Sequence, residues 1–240
     1  MRPLAERMEA LAAALFRDAG AEPGGIAGTV RVTASEVVAA EHLPPLLAAL
    51  RREHPRLAIE LVASDAVDDL LQRRADIALR MVAPVQQALV ARRLDTLTLG
   101  LFAHRDYLAR RGVPDSIAAL AGHDLIGMDT VSPLAEVALR ALPGISRGDF
   151  ALRVDSTLVQ LAAIRAGFGI GICQARIAER EPALCQVLPD AFAMALPLWI
   201  AMHEDLRGNA GCRTVFDALA AGLSAVGRGA AARDGMRPAS

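Results

Sequence analysis

Three short strand-like stretches, spaced by helical ones, constrain this chain more than any other feature. TVRVTA (29–34) and LAIELVA (57–63) alternate or cluster β-branched and apolar residues as strands do, and DIALR (76–80) forms a third. Between the first two, Leu43, Leu46, Leu47 and Leu50 fall on one helical face. Pro44 and Pro45 are tolerable there only if the helix starts beside them. Residues 67–73 read as a second short helix. Strand, helix, strand, helix, strand implies a parallel sheet, because parallel neighbours must be joined by a crossover, and such crossovers are right-handed.

The rhythm recurs downstream. Residues 97–103, 124–128 and 150–155 read as strands, 116–121 and 133–142 as helices, and Pro143-Gly144 ends the second helix. Ser156 stands where a helix to residue 166 would be capped, and GFGIGIC (167–173) turns into another strand. A last strand at 196–202 carries the single tryptophan, Trp199. Residues 208–223 form an amphipathic helix on Val215, Phe216, Leu219 and Leu223. The tail from Gly227 has little to bury and is expected to be disordered.

Composition removes several chemistries. Twenty-six basic against 27 acidic residues give a net charge of −1, which argues against the basic face that phosphate-dominated nucleic-acid binding needs. Every basic residue is arginine, since lysine is absent. A P-loop and a pyridoxal enzyme, both of which need a lysine, are thereby excluded. Cys173, Cys185 and Cys212 contain no CxxC pair, so neither a zinc framework nor a disulfide scaffold is expected, and a reducing cytoplasm is the expected location. Six charges within the first twenty residues interrupt any signal-peptide core, and no apolar run is long enough to span a membrane. The five histidines show no ligand spacing, and no GxSxG elbow occurs, so no metal, no cofactor and no catalytic residue is expected.

Leu4, Met8, Leu11 and Leu15 recur at four-three-four spacing, the stripe of a short helix that ends near Gly20, and AEPGGIAG (21–28) breaks the chain after it. With the order of elements, the strings GTVRVTAS (28–35), RREHP (51–55) before LAIEL, RRADIALR (73–80), VDSTLVQLAAIRAGFGIGIC (154–173) and LPLWIAMHEDLR (196–207) resemble the effector-binding domain of LysR-type transcriptional regulators. The likeness covers about residues 28–223. It departs at Cys173-Gln174, where many members carry Leu-Pro.

The resemblance implies an α/β fold of two lobes, like a type II periplasmic binding protein, with two mixed sheets, helices on both faces and a preceding linker helix. The implied layout is a linker and dimerisation helix at 1–20, a hinge at 21–27, lobe I at 28–94 and 204–223, lobe II at 95–203 and a disordered tail at 224–240. The winged helix-turn-helix of full-length members would precede residue 1, so DNA is expected as a partner only through a module outside this chain. A homodimer is implied, and a small-molecule effector would lie in the cleft between the lobes.

Candidate ligand-binding residues follow from the rule that open parallel sheets bind ligands beyond the carboxyl ends of their strands. Ser35 and Glu36 follow the first strand, and Ser35 is equally explained as a plain helix cap. Ser64 follows the second strand, although Asp65 beside it would repel an anion. Arg80 ends the third strand and could hold an acidic ligand such as an organic acid, or form a surface salt bridge. Met128, Asp129, Asp155 and Ser156 end the strands of the second half, where Ser156 suits a cap better than a ligand. Gly169 and Ile170 lie in GFGIG, whose helix-to-strand context is the reverse of a dinucleotide-binding turn and implies no nucleotide. Cys173 reads as a buried thiol rather than a redox sensor. The sequence therefore reads as a ligand sensor. A free-standing solute-binding protein of the same fold is the alternative, and an enzyme on that fold a more remote one.

Overall fold

The computed structural model describes residues 26–65, 75–84, 88–129 and 132–231. The expected opening helix, the hinge through residue 25 and the short helix at 67–73 lie outside the described residues. The chain divides into two compact units, the first formed by residues 1–96 and 197–240 and the second by residues 97–196. Strands β4 (Leu89–His104) and β9 (Met194–His203) carry the chain from one unit to the other. The return falls between Leu196 and Pro197, seven residues before the boundary expected after His203, because the second half of β9 is built into the first unit's sheet.

In the first unit, β1 (Gly28–Ala34) pairs in parallel with β2 (Leu57–Ala63) and with β3 (Ile77–Arg80), which β9 joins antiparallel. The order β2-β1-β3-β9 is the parallel βαβαβ arrangement expected from the strand spacing, closed by an antiparallel strand. Helix α1 (Glu36–Glu41) is short, and α2 (Leu43–Glu53) begins with its two prolines at the first positions, where no intrahelical N–H is lost. One face of the sheet carries Val30, Val32, Ile77, Leu79, Ile200 and Met202, all at most 4% exposed. Helix α7 (Ala210–Ala231) supplies Val215, Phe216, Leu219 and Leu223 to the core, and a methyl added at Gly222 would meet Leu46 Cδ2 of α2 at 2.5 Å. This helix continues through Ala231, so residues 224–231 are helical where a disordered tail was expected.

In the second unit, β4 is flanked by β7 (Gly171–Gln174) and β8 (Leu184–Val187), both antiparallel to it. Strands β5 (Leu125–Met128) and β6 (Phe150–Val154) pair in parallel, and β5 connects to the start of β7 through a parallel bridge between Leu125 and Ile170. The core gathers Leu101, Tyr107, Leu120, Leu125, Ile170, Val187 and Phe192. Around it lie α3 (Arg105–Arg111), α4 (Pro133–Arg140), α5 (Thr157–Arg165) and α6 (Ala175–Ala178). Residues 116–121, expected as a helix, form instead a 3-10 turn at Ala118–Gly122. Strand β4 begins eight residues earlier than expected, because the charged ARRLD stretch, exposed at Ala91–Arg93 and half-buried at Leu94 and Asp95, is part of the same strand rather than a loop.

Candidate functional site

The carboxyl ends of β1 and β3 bring Ser35 and Arg80 together. Ser35 N–H donates to the Leu79 carbonyl at 3.3 Å, and Ala34 and Leu79 are register partners. Arg80 is only 9% exposed. Its Nη1 donates to the Leu79 carbonyl at 2.9 Å and its Nη2 to Thr33 Oγ1 at 2.8 Å. The guanidinium is thus buried and anchored to the sheet rather than standing on the surface. Thr33, itself 1% exposed, shares a face with Arg80, as the alternation of strand side chains requires.

Among the described residues, Ser35, Ser132 and Ser156 each immediately precede an α-helix, and they behave differently. Ser132 Oγ accepts from Ala135 N–H at 3.1 Å and Ser156 Oγ accepts from Val159 N–H at 3.4 Å, as N-caps do. Ser35 precedes α1 but makes no capping hydrogen bond. Its Oγ is buried with no hydrogen-bond partner among the described residues, and the residue is 3% exposed. A sealed, unpaired hydroxyl costs about 1–3 kcal/mol. The capping role weighed for Ser35 is thus absent, and an unused polar group stands in its place. Close by, Glu36 N–H donates to Asp65 Oδ1 at 3.3 Å and Ser64 N–H to the Ala34 carbonyl at 2.9 Å. Asp65 thereby takes one of the donors that an incoming anion would have used.

In register across from Arg80 on β9 stands Trp199. Its Nε1 is also buried with no hydrogen-bond partner among the described residues. Sequence reasoning passed over Trp199 and Thr33 because neither sits at a strand-to-helix turn. Their parity along β9 and β1, which sets them on the face of Arg80, was the available signal.

Within the second unit the structure sorts the remaining candidates. Met128 pairs with Val154, and Asp129 N–H donates to the Val154 carbonyl at 2.6 Å, so Met128, Asp129, Asp155 and Ser156 cluster at the carboxyl ends of β5 and β6. The Asp129 carboxylate is paired with Arg147, which offsets its charge. Gly169 and Ile170 lie elsewhere. Ile170 bridges Leu125 at the amino end of β5, three residues and about 10 Å from Met128. A turn that leads into a strand parallel to β5 must sit at the amino edge of the sheet. The positive φ expected in this turn belongs to Gly167 (70°). Gly169 is required for another reason, since a Cβ there would lie 1.9 Å from the Asp124 carbonyl oxygen.

A polar cluster beside this turn was not anticipated. Tyr107, 1% exposed, accepts from Asp124 N–H at 2.7 Å, and its hydroxyl lies 3.3 Å from His123 Nδ1. The Tyr107 hydroxyl donates to His123 Nδ1 or accepts from it according to the imidazole tautomer. Burial, and then the nearby Arg111 charge, push His123 below the ordinary imidazole value against the opposing pull of Asp124. Among the described residues no group of His, Cys, Asp or Glu side chains could hold a metal ion, and no helix is long and apolar enough to cross a membrane. Cys173 is buried, with its thiol 3.4 Å from the Gln174 carbonyl.

A family model described as the LysR substrate binding domain matches residues 23–224. The HTH-type transcriptional activator AaeR of Escherichia coli is 31% identical over 145 residues, which are 58% of this chain and 47% of that protein. The chain thus spans about half the length of this curated relative. Among solved structures, the regulatory domain of CrgA, a LysR-type transcriptional regulator from Neisseria meningitidis, superposes with a TM-score of 0.74 at 24% identity, covering 82% of this chain and 99% of that one. The full-length Vibrio cholerae virulence activator AphB gives 0.68 at 19% identity, covering 91% of this chain and 75% of that one. These two likenesses establish the fold, that of the LysR regulatory domain.

Proposed function

The chain belongs to the LysR substrate-binding domain family, and from that premise we propose that it senses a small organic acid on behalf of a LysR-type transcriptional regulator. The observation that carries this reading is the Ser35 hydroxyl, sealed and without a hydrogen-bond partner among the described residues, where Ser132 and Ser156 cap their helices. Beside it the buried Arg80 supplies positive charge, held in place by Thr33 and the Leu79 carbonyl. A carboxylate at this edge would give Ser35 the hydrogen bond it lacks and meet the guanidinium at short range. Effector binding then acts as a population shift, because the ligand favours the conformation in which these groups are engaged.

The same reading makes the protein a cytoplasmic, non-catalytic homodimer that acts on DNA through a separate module. Strand β2 supports self-association: it pairs only with β1 among the described residues, and Leu61 on it is 37% exposed.

A thermal-shift screen of small organic acids tests the proposal. An acid at a hundred times its dissociation constant should stabilise the protein by about 2.7 kcal/mol. That shift should shrink in Ser35→Ala and vanish in Arg80→Ala. A shift undiminished in both variants would show that the ligand binds elsewhere.

A further inference from the structure

Among the described residues of the first unit, two buried polar atoms without partners lie one just after β1 and one on β9, with β3 between them, and the reading above uses only one of them. The second is Trp199 Nε1. Trp199 is the register partner of Arg80 across an antiparallel pair, so the two side chains leave the sheet on the same face with Cβ atoms about 5 Å apart. Ser35 extends the same row on β1, since its backbone is still extended (φ −54°, ψ 144°) and its N–H bonds to Leu79, the residue before Arg80. The row therefore presents a hydroxyl, a guanidinium and an indole N–H in sequence across three strands.

An indole nitrogen donates and never accepts, so nothing but an acceptor can satisfy it. Native folds leave very few buried donors unpaired, and those they keep call for an explanation. Solvent reaches neither Ser35 Oγ nor Trp199 Nε1, so water does not satisfy them in this conformation. A ligand that does must first displace what covers them. The unpaired state thus makes the ligand-free form less favourable, and a ligand carrying the right acceptor recovers that free energy only on reaching both atoms.

We propose that Trp199 is a specificity-determining residue whose N–H selects effectors bearing a second hydrogen-bond acceptor beside the carboxylate, that is, hydroxy or oxo acids in preference to their unsubstituted parents. This rests on the reading that Ser35 and Arg80 receive a carboxylate. A site built to bond a polar substituent rejects the analogue that lacks it, because its own donor is then left buried and unpaired.

Matched pairs test the assignment by calorimetric titration of the full chain: lactate against propionate, malate against succinate, and mandelate against phenylacetate. The wild type should bind the hydroxy acid of at least one pair roughly tenfold or more tightly than its parent. In Trp199→Phe the ratio should fall to near unity, chiefly through loss of affinity for the hydroxy acid. A ratio is read because general damage from the smaller ring would weaken both members alike. The single tryptophan gives one indole N–H resonance, which needs no variant. It should move downfield on adding the preferred hydroxy acid and stay in place with the parent. An unchanged ratio in Trp199→Phe, or an indole signal indifferent to the hydroxy acid, overturns the role of Trp199 while leaving the carboxylate site standing. Failure of every acid to bind the wild type overturns the carboxylate reading, and this assignment with it.

Discussion

Replacing Gly169 by alanine probes the packing of the second unit at its tightest point. The added Cβ would stand 1.9 Å from the Asp124 carbonyl oxygen and 2.9 Å from its carbonyl carbon, both backbone atoms that cannot swing aside. The nearer contact is short of an ordinary one by about 1.5 Å, so the turn and β5 must separate. That separation strains two hydrogen bonds, from Ile170 N–H to the Asp124 carbonyl at 2.9 Å and from Ile126 N–H to the Ile170 carbonyl at 2.8 Å. Overpacking of this kind costs about 1–3 kcal/mol and each of the two weakened bonds about 1 kcal/mol, which makes a total loss of about 3–5 kcal/mol. For a domain whose whole stability is about 5–15 kcal/mol this is a large fraction. Urea unfolding followed by circular dichroism measures it, and amide exchange at Ile126 and Ile170 localises it. Gly148→Ala is the control, since its Cβ would meet nothing nearer than Ser146 Oγ at 3.5 Å. The reasoning is refuted if Gly169→Ala unfolds within about 0.5 kcal/mol of the wild type.

Other perturbations follow from the same geometry. Because the folded state holds His123 below its ordinary value, the stability this neutral imidazole contributes is fully present above the unfolded value, about 6.5. It is lost as pH falls through the lower folded value, so unfolding midpoints should drop on mild acidification and His123→Gln should flatten that drop. Asp149 is also held below its ordinary value, by hydrogen bonds from the Ser146 hydroxyl and backbone N–H, so Ser146→Ala should raise its titration midpoint as followed by NMR. Arg165 Nε lies 3.1 and 3.0 Å from the two carboxylate oxygens of Glu181, joining the end of α5 to the segment between α6 and β8. With both side chains about one third exposed (35% and 29%), Glu181→Gln should cost no more than about 1 kcal/mol, and less at high salt.

Much of the architecture is written in local pattern. The β-branched runs at 29–34 and 57–63 could be little other than strands, the leucine stripe after Pro44-Pro45 could begin a helix only there, and short crossovers between such strands impose parallel pairing. Ser156 caps its helix as its position implies. Elements without a periodic signal were not legible. Strand β8 is four residues with one polar side chain, and α3 is seven residues whose buried Tyr107 and Leu108 are adjacent rather than spaced by a turn. Both are held by what they pack against, and that is not a local property.

The candidate site divides along the same line. Chain order alone set Ser35 and Arg80 at the carboxyl edge of a parallel sheet, because every strand of a right-handed βαβ run points the same way. Whether Ser35 would cap α1 or keep its hydroxyl unused depended on the angle at which the helix leaves the strand, and that Arg80 would be anchored by Thr33 depended on strand register. Trp199 lies more than a hundred residues from Arg80 in sequence and meets it only because β9 returns antiparallel beside β3. Such a juxtaposition arises from long-range pairing, which no local periodicity encodes, and it decides which chemical groups face a ligand at this edge.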